Sequence, residues 1–182
     1  MERVELRTVE ELMAALHACR DTRGTPARGG NPVDPHEHAL QTAALLRRGR
    51  PSDKELQVAG LVHDLGRFLC PEDDAGHADR AADAVRGLLG ERVARLVRLH
   101  VPAERYLTAV GPDRARSARG ESMTPREIAA FEADPLAEDA VALRQAADAG
   151  KAAGLDAGVM EDWRPVLELV AAGSRRTAAP SR

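Results

Sequence analysis

Apolar residues along this chain recur at spacings of three and four, and no stretch keeps the alternation of a half-buried strand, so the pattern predicts an all-α protein. Thr8 followed by Glu11 has the form of a capping box, and Leu12, Met13 and Leu16 then share one face of a first helix ending near Ala18. The stretch DTRGTPARGGNP reads as a loop, because Gly and Pro break both regular structures. Asp34-Pro35, with Glu37 at the third helical position, opens a helix through HEHALQTAALLRR that puts His38, Thr42 and Leu45 on one face. Ser52 and Glu55 form another capping box ahead of DKELQVAGLVHDLG, a helix that Gly66 is expected to close.

Two antiparallel helices are predicted next, about His77 to Arg86 and about Glu91 to Leu99, joined by GLLG. Gly111 to Ser122 is polar and without period. Thr124-Pro125 with Glu127 starts a helix through Phe131, Pro135 precedes one running to about Asp148, and Trp163 to Val170 suggests a last one. Residues 1–172 are read as one domain and 173–182 as a disordered tail.

Composition narrows the class. Hydrophobic residues are 43% of the 182, yet aromatics are only 2%, so the core must be built on Ala, Leu and Val, which suits close-packed helices. A net charge of -3 carries no basic footprint for nucleic acid or a membrane surface. Cys19 and Cys70 form no CxxC pair, and MERVELRTVEELM has no apolar run, so a reducing cytoplasm with free thiols is expected.

The chemistry lies in the histidines, of which there are six. His63 and Asp64 are adjacent at the end of an apolar helix, where a buried carboxylate is costly unless it is paired or binds a cation. Neighbours on a helix point about 100° apart, so the imidazole can hold one ion while the carboxylate reaches between two. His38 lies mid-face on the preceding helix, and His77 and His100 lie at opposite ends of the next helical pair, which antiparallel packing brings together. His36, in a first turn, is expected to be solvated, and His17 lies on the first helix, away from this group.

EHALQTA, LVHDLGRFL, RGLLGERVARLVRLHVPAERYL, FEADP and ALRQAADAGK, taken in order, resemble the HD-domain superfamily. The ERVARLVRLHVPAERYL block resembles one branch of it, the oxygenases that cleave carbon-phosphorus bonds in organophosphonates. The likeness is collinear from about Asp34 to Lys151. It implies a single-domain HD-type helical bundle and a mixed-valent di-iron pair (Fe2+/Fe3+) held by His38, His63, Asp64, His77 and His100, with Asp64 bridging and His63 and Asp64 at the catalytic centre. The implied reaction consumes oxygen and releases phosphate from a 1-hydroxyphosphonate. Arg144, Lys151 and Arg67 are the implied contacts for a small anionic substrate.

Departures accompany the match. The family's sixth ligand position is Ala147 here, and Asp148, the next residue, is the candidate sixth metal ligand if the helix adjusts by one position. Arg28 and Asn31 replace a Tyr and a Glu ahead of the first ligand. Glu104 stands where a Lys is expected after HVPA, reversing the charge where a phosphonate would be held, and Tyr106 to Met123 is shortened. Two further readings therefore stay open: an HD phosphohydrolase using Mn2+, Co2+ or another divalent ion to activate water, and a non-catalytic descendant of the bundle.

Overall fold

The computed structural model describes residues 4–20, 34–73, 75–111, 123–151 and 155–178. Arg28, Asn31 and most of the two polar segments predicted as loops lie outside them. Among the described residues all regular structure is helical, as the apolar spacing requires.

Helices α1 (Val9–Ala18) and α2 (Pro35–Gly49) begin where their caps place them. Thr8 accepts from the Glu11 N–H at 3.1 Å, while the Glu11 carboxylate turns back to the N–H of Arg7 at 2.7 Å. Asp34 accepts from the Glu37 N–H at 3.1 Å, with Pro35 in the first turn. Helix α3 (Lys54–Val62) starts one residue later than its Ser52 signal. Asp53 is the cap, accepting from the Leu56 N–H at 3.0 Å and from both terminal nitrogens of Arg92 at 2.9 and 2.8 Å. A serine hydroxyl can fill the first role but not the second, since only a carboxylate matches the guanidinium fork.

The HDLG stretch departs from expectation. Helix α3 stops at His63, Asp64 adopts φ -98°, ψ 4°, and the chain restarts as the short α4 (Leu65–Leu69). Gly66 does not terminate a helix; it lies inside α4, where a Cβ would come 1.9 Å from the carbonyl oxygen of His77. Its missing side chain lets α4 lie directly on the start of α5 (His77–Leu89).

Helices α5 and α6 (Glu91–Val110) are joined by Gly90 alone, at φ 91°, a conformation that favours glycine. Helix α6 runs past Leu99, through Pro102, to Val110. Pro102 removes the N–H that would close on the Arg98 carbonyl. The helix persists because its second half packs Ala103, Tyr106 and Ala109 against Met123, Phe131 and Ala140, a small apolar cluster shared with α7 (Pro125–Glu132) and α8 (Ala137–Ala149). At the start of α7 Thr124 and Glu127 complete a reciprocal capping box. A 3-10 turn over Met160–Trp163 leads into α9 (Arg164–Ala178), so helix extends into the segment expected to be a disordered tail.

The main core is aliphatic, as the composition demands. Every residue of α3 from Leu56 to Val62 is buried, and a Cβ at Gly60 would come 2.5 Å from the Leu46 side chain, so α2 and α3 touch almost backbone to backbone. Each leucine fully buried here contributes roughly 1.5–3 kcal/mol. Trp163 closes the core from the far end, fully buried, with the Arg47 guanidinium 3.8 Å above its ring. Arg92 ties the scaffold together from α6, pairing with Asp53 and Glu55 near α3 and with Asp139 on α8. Among the described residues no helix is long and apolar enough to cross a membrane.

Candidate metal centre

Four helices deliver one side chain each to a common point, and the break after α3 delivers the fifth. His38 comes from α2, His63 from the end of α3, His77 from the first residue of α5 and His100 from mid-α6. All four are buried. The chain turns at Asp64 just after His63, which aims the two neighbouring side chains into the same space.

The Asp64 carboxylate divides the histidines into two pairs. Its Oδ2 lies 3.7 Å from His38 Nε2 and 3.3 Å from His63 Nε2. Its Oδ1 lies 3.6 Å from His77 Nε2 and 3.9 Å from His100 Nε2. Two donor groups result, His38-His63-Asp64 and Asp64-His77-His100, each with its atoms within 4.8 Å of one another. Adjacent rings stand 5.2 Å apart between centroids and are turned edge to face or tilted, so they do not stack.

Proton positions test whether this donor set suits a cation. His63 Nδ1 lies 2.8 Å from the Gly60 carbonyl and His100 Nδ1 lies 2.6 Å from the Val97 carbonyl, both three residues back on their own helices. A carbonyl only accepts, so each Nδ1 carries a proton, and in the neutral ring Nε2 is a lone pair. In the neutral rings those lone pairs face the oxygens of Asp64, acceptor toward acceptor, and His77 Nε2 lies 3.2 Å from His100 Nε2, where a proton on His77 or a cation can bridge the two nitrogens. A cation among these atoms would relieve the contacts between acceptors. Burial, with the neighbouring His63, holds His100 down to about 3, and burial and His63 hold His38 down to about 4, so at neutral pH protons do not supply the charge there. Burial and Arg67 likewise lower His77. His63 moves the other way: burial opposes its charge, but the adjacent Asp64 outweighs it. Burial would raise Asp64, yet His63, His100 and Arg67 hold it well below the usual carboxylate range. An ionised carboxylate amid largely neutral imidazoles fits a pair of divalent or trivalent ions sharing Asp64, with His/carboxylate chemistry suited to iron, manganese or cobalt.

The Asp64 side chain is 29% exposed, so the centre opens to solvent on one side, and cations border the opening. Arg67 donates from Nε to Asp64 Oδ1 at 3.2 Å. Arg144 is close enough to His63, and Lys151 to His38, for their charges to disfavour protonation of those rings. Arg144 is itself gripped by Asp148 and by Glu104, and Lys151 also binds Asp148. Asp148 is in neither donor group; its carboxylate is taken up by these two cations. The neighbouring Ala147 is buried and offers no donor.

His36 and His17 form a separate cluster. The expectation that His36 is solvated is corrected by the fold: it is 4% exposed and stacks on His17 of α1 at 5.6 Å between centroids. His17 pairs with Glu161 at 3.0 Å. Sequence reading also passed over the Gly60, Val97 and Gly150 carbonyls that face ring nitrogens of the metal-side histidines, the last at 3.5 Å from His38 Nδ1. For His63 and His100 a signal was available, since a histidine three residues after a helical carbonyl can reach it.

Residues 36–139 match the model of the HD domain family. The chain is 32% identical over 151 residues to a hydroxymethylphosphonate dioxygenase of Gimesia maris, covering 72% of this chain and 75% of that protein. It is 28% identical over 167 residues to a [1-hydroxy-2-(trimethylamino)ethyl]phosphonate dioxygenase (glycine-betaine-forming) of Leisingera caerulea, covering 81% and 84% respectively.

Proposed function

The chain belongs to the HD-domain family, and from that premise we propose that it is a di-iron oxygenase that cleaves the carbon-phosphorus bond of a small hydroxylated organophosphonate. The observation that carries the reading is the division of Asp64 between two histidine pairs, one on each oxygen. His38 and His63 would hold one ion, His77 and His100 the other, and Asp64 both. Bound there, two irons (Fe2+/Fe3+) supply the electron-transfer and oxygen chemistry that no side chain provides.

The protein's own residues do the rest. Three protein donors per ion leave positions for substrate and oxygen. The Gly60 and Val97 carbonyls fix the rings of His63 and His100 with their Nε2 lone pairs aimed inward, so no rotation is needed when an ion arrives. Arg144 and Lys151 receive the anionic phosphonate, and Arg67, anchored on Asp64, adds a third positive charge at the opening. The relatives' named substrates support a phosphonate that carries a hydroxyl. A reducing compartment such as the cytoplasm, in which Cys19 and Cys70 remain thiols, agrees with this chemistry.

The test is anaerobic loading with ferrous iron, an iron count, and then oxygen uptake and phosphate release with hydroxymethylphosphonate and a panel of 1-hydroxyphosphonates. Two irons per chain and phosphate formed in step with oxygen consumed are expected. Failure to retain iron sinks the reading. Phosphate released without oxygen from nucleotides or sugar phosphates, with Mn2+ or Co2+, would replace it with a metal-dependent phosphohydrolase.

A further inference from the structure

The residues around Arg144 make an arrangement that metal ligation alone does not explain. Arg144 is 14% exposed, and three of its N–H groups are engaged: Nε with Asp148 Oδ2 at 3.0 Å, Nη2 with Asp148 Oδ1 at 2.6 Å, and Nη1 with Glu104 Oε2 at 3.0 Å. Lys151 Nζ reaches the same Asp148 Oδ1 at 3.0 Å. Both oxygens of Asp148 are therefore committed to cations, and neither joins the donor groups around Asp64. A guanidinium has five N–H groups, so two of Arg144's remain, one on each terminal nitrogen.

We infer that Asp148 and Glu104 are positioning residues that hold Arg144 and Lys151 at the opening of the metal centre as a preformed receptor for a tetrahedral oxyanion, and that Asp148 is not a metal ligand. Long basic side chains lose rotamer freedom on binding an anion, and a carboxylate that has already fixed them removes that cost. Asp148 grips the side edge of the guanidinium in a fork and Glu104 takes the third corner, which defines its plane as one carboxylate alone would not. The two positions lie on different helices, Glu104 on α6 one turn beyond His100 and Asp148 on α8, so the receptor is tied to the same scaffold that carries a metal ligand. The charge reversal at Glu104, which by itself would repel a phosphonate, becomes a support for the cation that attracts it.

This rests on the metal-centre reading, and the experiment separates the two. Full-length protein, Asp148→Asn, Asp148→Glu and Glu104→Gln are titrated anaerobically with Mn2+ to give stoichiometry, and the loaded proteins are then titrated with inorganic phosphate. Asp148→Asn is expected to bind the wild-type number of ions with affinity within about threefold, while its phosphate Kd rises about tenfold, a typical worth for a lost charge-assisted contact. Asp148→Glu should recover part of that loss. Glu104→Gln, at an exposed position whose folding role is slight, should raise the phosphate Kd about threefold, as expected for a partly exposed charged pair. Loss of an ion from Asp148→Asn would make it a ligand and overturn the inference. Unchanged or tighter phosphate binding in both Asp148→Asn and Glu104→Gln would also overturn it, by reducing the carboxylates to competitors of the anion. Wild-type protein that binds no ion would instead sink the metal centre itself.

Discussion

Two histidine clusters built from the same residue type behave as different objects. Around Asp64, four rings from α2, α3, α5 and α6 converge on one carboxylate, and backbone carbonyls orient the Nδ1 protons of His63 and His100 so that lone pairs face inward. On the other side of α2, His36 and His17 stack with 27° between their planes, with His17 tied to Glu161 and His36 Nε2 buried without a hydrogen-bond partner among the described residues. Imidazoles in close ring contact are common to both, although His17 is partly exposed. What differs is a shared anion and a fixed tautomer, and these make a donor set that could hold a cation where stacking makes a packing contact.

Removing the shared anion breaks the comparison most severely. Asp64→Asn keeps the shape of the side chain but loses the bridging charge, and metal affinity is expected to fall by more than about 100-fold, beyond the 10–100-fold typical of an outer partner. His36→Asn should leave the measured metal stoichiometry untouched. Retention of two ions by Asp64→Asn, counted after gel filtration, would show that the histidines suffice without it.

Next in size is a backbone change that leaves every donor in place. Gly66→Ala puts a methyl 1.9 Å from the His77 carbonyl oxygen, so α4 and α5 must separate. A loss of about 2–3 kcal/mol in denaturant unfolding is expected, at the upper end of the roughly 1–3 kcal/mol typical of overpacking, together with weaker metal binding through the displaced His77. Gly49→Ala, where nothing lies within 4 Å, serves as the control and should be neutral or stabilising.

Acid distinguishes the clusters more gently. In chelated protein His38, at about 4, and His100, at about 3, bind fewer protons folded than unfolded below their ordinary 6.5. More protons on the unfolded chain means that stability rises with pH, so it falls as pH drops from about 6.5 to about 4 for His38 and on to about 3 for His100. Asp64, depressed when folded, loses its contribution in the same direction at lower pH. His63, raised when folded, has the opposite sign, its contribution being present in acid and lost as pH rises through its folded value. Bound metal should move the acid midpoint down, because ions and protons compete for the same nitrogens. An acid midpoint from thermal melts that ignores added metal would contradict the ligand set.

The smallest effects belong to the stacked pair. His36→Phe retains the flat packing surface and removes an unsatisfied buried nitrogen, so a change within about 1 kcal/mol, of stabilising sign, is expected in thermal unfolding. His17→Ala removes a partly exposed pair with Glu161 worth at most about 1 kcal/mol. A large loss of metal in either variant would erase the distinction between the clusters.

The local grammar of the chain was enough for the helical class, the caps at Thr8, Asp34 and Thr124, and the adjacency of His63 and Asp64, because each depends on groups within a few residues of one another. The same logic failed where a distant partner set the outcome. Ser52 has the better local signature, but Arg92 selects Asp53. Pro102 argues for a helix end, but the apolar cluster with α7 and α8 carries α6 onward and so places Glu104 against Arg144. Gly66 looks like a terminator, and only the approach of His77 shows why it lacks a side chain. Which residues are candidate donors is thus legible in the sequence, whereas their division between the two oxygens of Asp64, the inward aim of His63 and His100 and the engagement of Asp148 by cations belong to the fold. Spacing along a chain restricts direction over a turn or two, but convergence between helices is decided by which surfaces bury best together.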